Sequence, residues 1–257
     1  MIDFYKYQGA GNDFIMIDNR LRVFEGDKVA FAQKWCDRKF GIGSDGLIFI
    51  EEHADLDFVM DFYNPDGSQS FCGNGSRCAM AFAGRLGIIE KGARFEAIDG
   101  EHEAHFTNKG VKVKMGDVAS VDQINEDHFI DTGSPHYISY EEGEELRDIV
   151  DYGKAIRYSD QYKEEGTNVN LIEVVDAYNI RVRTYERGVE DETFACGTGA
   201  TACGLSFGFK THLNEGPVEV EVKGGHLTIH FSKQDEGFSN VWLEGPAEYV
   251  FKGVINE

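Results

Sequence analysis

Apolar and polar residues alternate with the two-residue period of half-buried strands along much of the chain, as in Val218-Glu219-Val220-Glu221-Val222 and Arg94-Phe95-Glu96-Ala97-Ile98. Strand-like runs occur at Leu47–Ile50, Asp57–Tyr63, Arg94–Ile98, Val111–Met115, Asn168–Val175, Asn179–Tyr185, Val218–Val222, His226–Phe231 and Ser239–Leu243. Helical periodicity is confined to Lys28–Asp37, Arg77–Leu86, Glu144–Tyr152 and Thr201–Phe209. The mixture predicts an α+β fold dominated by antiparallel sheet.

The pattern repeats. YNPDGSQSFCGNGSRCAMAFAGRLG (63–87) and YERGVEDETFACGTGATACGLSFG (185–208) each run from a strand-ending tyrosine through an acidic loop to Cys-Gly-x-Gly, then into a helix of small and apolar residues. The central cysteines, Cys72 and Cys196, stand 124 residues apart. The likeness continues into two hairpins, RFEAIDGEHEAHF (94–106) and VEVEVKGGHLTIHF (218–231). A repeat at half the chain length predicts two similar halves. We set them at 1–117, carrying Cys72, and 118–245, carrying Cys196, with 246–257 as a candidate return to the first half.

Each Cys-Gly-x-Gly carries a specific chemistry. The first backbone N–H groups of a helix have no internal partner, and with the helix dipole they form an anion site. The same field lowers a cysteine pKa from about 8.5. One loop can therefore activate a thiol and hold a carboxylate, and Cys196-Gly197-Thr198-Gly199 repeats the device of Cys72-Gly73-Asn74-Gly75. Two such loops suit inversion at a carbon, where one group removes a proton from one face and another delivers a proton to the opposite face. Cys36, Cys78 and Cys203 lie on apolar helix faces and are expected in the core. His136, in Thr132-Gly133-Ser134-Pro135-His136, reads as an exposed loop histidine. Arg187, beside Glu186 at a strand end, is the natural clamp for a carboxylate.

Charge and composition narrow the function. Of 257 residues 41% are apolar, enough for a packed core, and the net charge of −21 excludes a phosphate-backbone partner. No nucleic-acid partner is expected. No run approaches the ~20 apolar residues of a membrane helix, so no membrane partner is expected. The N-terminus lacks the basic and apolar regions of a secretory signal. Five widely spaced cysteines without Cys-x-x-C fit reduced thiols in a cytoplasmic protein, with no metal. No lysine motif for pyridoxal phosphate stands out, so no cofactor is expected. Phe40-Gly41-Ile42-Gly43-Ser44-Asp45-Gly46 lacks the Lys-Ser/Thr of a phosphate loop. The oligomeric state is left open, with a homodimer compatible.

Collected together, GAGNDF, GIGSDG, YNPDGS, CGNGSRC, SPH, GTNVN, YERG, ACGTGA and KGGHL span nearly the whole chain and closely resemble the diaminopimelate epimerase family. The resemblance implies two pseudo-symmetric halves, each a barrel-like sheet around a central helix. It implies a small-molecule substrate, diaminopimelate, epimerised between its LL and meso forms for lysine and peptidoglycan synthesis. It makes Cys72 and Cys196 the catalytic pair, with His136 and Glu186 assisting their protonation. It assigns Gly73, Asn74, Gly197 and Thr198 to the reacting carboxylate, Asn12, Asn64 and Asn168 to substrate binding, and Glu186 with Arg187 to the distal amino-acid head. Ser134 stands where many members carry asparagine and Gly46 where some carry glutamine, so neither role is transferred. The readings that compete are a two-cysteine proline or hydroxyproline racemase and a non-catalytic amino-acid-binding protein.

Overall fold

A computed structural model describes residues 1–143 and 145–256. The chain divides by its contacts into two compact units, Met1–Val113 with Gly245–Glu257, and Lys114–Glu244.

The first unit contains β1 (Ile2–Gly9), β2 (Asn12–Asp18), α1 (Lys28–Trp35), β3 (Gly46–Glu51), β4 (Phe58–Tyr63), α2 (Gly73–Arg85), β5 (Gly92–Ala97), β6 (Gly100–Thr107) and β7 (Gly110–Lys114). The second contains β8 (Asp122–Ile124), β9 (Asp127–Asp131), β10 (Pro135–Tyr140), α3 (Ile149–Arg157), β11 (Asn168–Val174), β12 (Asn179–Glu186), β13 (Asp191–Glu192), α4 (Gly197–Lys210), β14 (Val218–Val222), β15 (Gly225–Lys233) and β16 (Phe238–Gly245). β17 (Glu248–Ile255) then pairs antiparallel with β1.

The two units repeat one topology. Strands follow β17-β1-β2-β3-β4-β5-β6-β7 in the first and β8-β9-β10-β11-β12-β14-β15-β16 in the second. In both, the third and fourth strands pair in parallel, as do the fifth and sixth, and the rest are antiparallel. Helices supply the parallel crossovers: α1 and α3 the first, α2 and α4 the second. The fold is thus α+β, with a barrel-like, mostly antiparallel sheet about each inner helix. Helix α2 packs against β1, β2, β3, β4, β6 and β17, and α4 against β9, β10, β11, β12, β14 and β15.

Alternation explains why the central strands are apolar on both faces. Phe14 and Met16 on β2, and Ile48 and Ile50 on β3, face the core cluster that holds Cys78, Met80 and Phe82 of α2. Their neighbours Ile15, Ile17, Leu47 and Phe49 face a second cluster with Phe31 and Ala32 of α1. In the second unit Tyr137, Val169, Leu171 and Tyr185 pack with Ile149 under α3.

The expected inner helices are longer at their N-termini than apolar periodicity suggests, because α2 and α4 begin on Gly73 and Gly197, directly after the cysteines. Helix α3 lies later than the expected Glu144–Tyr152. Asp148 caps it by accepting from the N–H groups of Val150 and Asp151, and Glu144 itself is outside the described residues. No described helix is long and apolar enough to cross a membrane.

Helix α3 sits close to β12 at Gly153, where a Cβ would lie 2.4 Å from Tyr185 Cγ. Gly153→Ala should therefore destabilise the second unit by roughly 1–3 kcal/mol through overpacking. A denaturation midpoint equal to that of the unsubstituted protein would contradict this packing.

Candidate active site

The four helices among the described residues begin in two different ways. Asp27 caps α1 and Asp148 caps α3, each carboxylate accepting two first-turn N–H groups. Cys72 caps α2 and Cys196 caps α4, both in extended backbone, and neither of these helices has an acidic residue in its first turn. The positive ends of the two inner helices are thus left to sulfur and to whatever anion enters.

In the first unit, the N–H of Gly75 donates to Cys72 Sγ at 3.4 Å, and the sulfur lies 3.8 Å from Asn12 Oδ1. Asn74 Nδ2 donates to the same Asn12 oxygen at 3.2 Å. Asn12 is held in turn by donation to Asp45 Oδ2 at 2.8 Å. The Asn74 side-chain Oδ1 accepts from the guanidinium of Arg77 at 2.8 Å. Arg77 is fully buried on α2 and also donates to the Pro246 carbonyl. Burial lowers its pKa to about 10, so it stays a cation near neutral pH, and a Cys72 anion would favour that charge. Cys72, Asn12, Asn74 and Gly73 therefore form one cluster. Asn64 is not drawn into it by the bonds it makes: its amide donates to Ser68 and Ser70 within its own loop.

In the second unit, Cys196 Sγ lies 3.4 Å from Thr198 Oγ1, and that hydroxyl lies 2.9 Å from His136 Nε2. Thr132 fixes the same turn by donating its hydroxyl to the Thr198 carbonyl. Asn168 donates to Ser134 Oγ at 3.0 Å and accepts from the Arg187 N–H at 2.9 Å. Arg187 also donates from its guanidinium to the Glu165 carbonyl. Glu186 ends β12 immediately before it. Cys196, Thr198 and His136 thus form one cluster, and Asn168, Ser134 and Arg187 adjoin it along β10, β11 and β12.

The expectation of an exposed His136 is corrected. It is the second residue of β10, fully buried, because strand alternation turns it with Ile138 onto the face that α4 covers. Burial first, and then the charge of Arg187, push its pKa down to about 3, so it is neutral. The remaining cysteines are placed as expected: Cys36, Cys78 and Cys203 are buried free thiols, and burial raises the pKa of each. Among the described residues no group of acidic, histidine or cysteine side chains could hold a metal ion.

Sequence reasoning passed over Asp45, Arg77, Thr132 and Asn170. Asn170 was within reach, since Asn-Val-Asn puts it on the same strand face as Asn168. Arg77 had a signal too: an arginine among serine, cysteine, alanine and methionine offers no polar helix face on which to sit.

A family model described as "Diaminopimelate epimerase" matches residues 4–121 and 128–250. A diaminopimelate epimerase of Flavobacterium psychrophilum is 46% identical over 98% of this chain and 99% of its own length. Among solved structures, a phenazine biosynthesis protein of the PhzF family from Bacillus anthracis superposes with TM-score 0.73 at 16% identity, covering 99% of both chains. A probable proline racemase from Agrobacterium radiobacter K84 superposes with TM-score 0.70 at 12% identity, covering 100% of this chain and 93% of its own. At those identities the two structures report the fold alone.

Neutral buried His136 has a consequence for stability. Its unfolded pKa is near 6.5 and its folded pKa about 3. Above pH 6.5 neither state binds the proton, so stability is unaffected; as pH falls from 6.5 toward 3, only the unfolded state is protonated and stability is lost. Wild type should lose up to about 1.4 kcal/mol per pH unit more than His136→Gln across that window, read from denaturant midpoints. Parallel pH profiles would show that the imidazole is not held neutral.

Proposed function

The chain belongs to the diaminopimelate epimerase family, and from that premise we propose how its residues divide the work of epimerising LL- and meso-2,6-diaminopimelate. The enzyme is an isomerase. Cys72 and Cys196 act as the two bases, one as thiolate and one as thiol, on opposite faces of one Cα. The thiolate takes the Cα proton, the electron pair moves onto the α-carboxylate, and the opposing thiol returns a proton to the other face. Both states of the pair are restored when the reverse substrate is processed.

The observation that carries this reading is the shared design of the two helix starts: a cysteine at the cap, glycines in the first turn and no acidic residue within that turn. The Cα–H of an amino acid is very weakly acidic, and its carbanion forms only where charge on the carboxylate is stabilised as it develops. The first-turn N–H groups of Gly73 and Asn74, and of Gly197 and Thr198, are the donors we assign to that carboxylate. Arg77 adds a fixed cation behind Asn74, and Asn12 orients both Asn74 and Cys72. Asn168, Glu186 and Arg187 recognise the distal amino-acid head, and Asn64 contributes once its loop turns toward substrate. His136 and Glu186 bias the protonation of the thiols.

We also read the two compact units as copies of one ancestral half, the first completed by β17. The five free cysteines favour a reducing, cytoplasmic setting. Proline racemase chemistry is supported only by likeness of fold, whereas a second amino-acid head gives Arg187 and Glu186 a ligand.

The test is hydrogen exchange. LL-diaminopimelate incubated in D2O with the protein and reductant, without added cofactor, should gain deuterium at Cα, and proline should not. Cys72→Ser and Cys196→Ser should each lower kcat/KM by at least about 100-fold with unchanged melting temperature. Label in proline alone would favour the racemase, binding without label would leave an amino-acid-binding protein, and full activity in either variant would remove that thiol from the mechanism.

A further inference from the structure

The two units differ at one place where their topology is the same. In the first, β2, β3 and β4 point Phe14, Ile48 and Phe62 at the inner helix, with Ile48 directly opposite Phe62. In the second, the matching positions on β10, β11 and β12 hold His136, Asn170 and Thr184, with Asn170 directly opposite Thr184. The correspondence holds at the helix as well. A Cβ on Gly75 would meet Ile48 and Met60, whereas one on Gly199 would lie 2.8 Å from Asn170 Oδ1 and 3.2 Å from His136 Cε1. The fold therefore does not require polar groups here. Burying three of them is costly unless each is bonded, and each is.

The bonds have a direction. Asn170 Nδ2 lies 3.1 Å from the Tyr137 carbonyl, which can only accept, so the NH2 end of the amide is on that side. Its oxygen correspondingly accepts from the Thr184 hydroxyl at 2.9 Å. The second amide hydrogen points to His136 Nδ1 at 3.2 Å, which must then be the bare nitrogen. The ring proton is left on Nε2, 2.9 Å from Thr198 Oγ1. That hydroxyl, having accepted from the imidazole, has its own hydrogen to place, and Cys196 Sγ is 3.4 Å away.

We propose that Asn170 is a positioning residue: it fixes His136 as the Nε2–H tautomer, and so turns Thr198 into a hydroxyl donor to the Cys196 sulfur. The inference rests on the proposed role of Cys196 and says how its thiolate is stabilised. His136 is then neither acid nor base but the middle of a relay of hydrogen bonds that all run toward the sulfur. Its neutrality matters, because a doubly protonated ring would oppose the Asn170 NH2 group. The charged group that acts on the imidazole is Arg187, which favours the same neutral state. Cys203, which shares electrostatic contact with Cys196, is a buried thiol held protonated. The other tautomer would reverse the relay: with the proton on Nδ1, Nε2 would draw the Thr198 hydrogen away from sulfur.

Long-range 1H–15N correlation spectra of histidine-labelled protein read the tautomer without substrate, so the result is independent of whether the epimerase mechanism is right. Wild type should show His136 protonated on Nε2 and bare on Nδ1; a proton on Nδ1 overturns the proposal even if every variant fails to fold. In the Cys72→Ser background, where Cys196 is the half-buried thiol open to iodoacetamide and the other three are buried, alkylation at fixed neutral pH reports the thiolate. Asn170→Leu should give a mixed or reversed tautomer and slow alkylation about tenfold, the scale of one hydrogen bond to a charged acceptor. Thr198→Val should slow it equally while keeping the wild-type tautomer, and Thr198→Ser should restore it. An Asn170→Leu protein with wild-type tautomer and alkylation rate would reduce Asn170 to a packing residue and defeat the proposal.

Discussion

Everything at these two cysteine clusters depends on how two buried helices begin. A helix N-terminus carries roughly half a positive charge and several N–H groups without partners. Elsewhere in this chain that demand is met by aspartate, at Asp27 and Asp148. At α2 and α4 a cysteine takes the cap position, glycines allow close approach to the first turn, and that turn contains no acidic residue. An acidic protein thereby keeps two places where negative charge is welcome, one for each copy of the repeat, and the net charge of −21 makes such local reversal necessary for an anionic substrate.

The copies then diverge in what stands behind the sulfur. Behind Cys72 is a permanent cation, the buried Arg77, acting through Asn74 and Asn12. Behind Cys196 is a neutral imidazole acting through Thr198. The apolar trio Phe14, Ile48 and Phe62 shows what the inner face of the sheet looks like when nothing but packing is asked of it. Its polar counterpart in the second unit is thus a departure tied to the thiol rather than to the sheet. In the proposed mechanism two thiols exchange roles between turnover directions, which gives such asymmetry a use that symmetric halves would not serve.

Much of this was readable before any coordinates. The period-two runs at Val218–Val222 and Asp57–Tyr63 became β14 and β4, because a strand with one buried face must alternate. The doubled Cys-Gly-x-Gly located both helix starts. What was missed lies where local pattern carries little information. β17 lies in the 246–257 stretch that was offered as a return to the first half, but no local signal encodes the register in which it pairs with β1. Helix α3 was displaced because its apolar spacing begins before its aspartate cap, and the cap decides. His136 was misread because its Gly-Ser-Pro approach resembles a loop, while burial comes from a helix some sixty residues later. Arg77 and Asn170 were overlooked for a related reason: their importance rests on partners, Asn74 and Pro246 for one and His136 and Thr184 for the other, that only the folded chain supplies.

The central claim is the proposal that Cys72 and Cys196 serve one carbon, and two thiols that do so would have to come within disulfide reach of each other. Mild oxidation followed by peptide mass spectrometry tests this most directly. The account predicts that activity disappears as a Cys72–Cys196 disulfide-linked peptide forms, and that reductant restores both thiols and turnover together. Recovery of the two cysteines on separate peptides, each oxidised without ever being linked to the other, would contradict it.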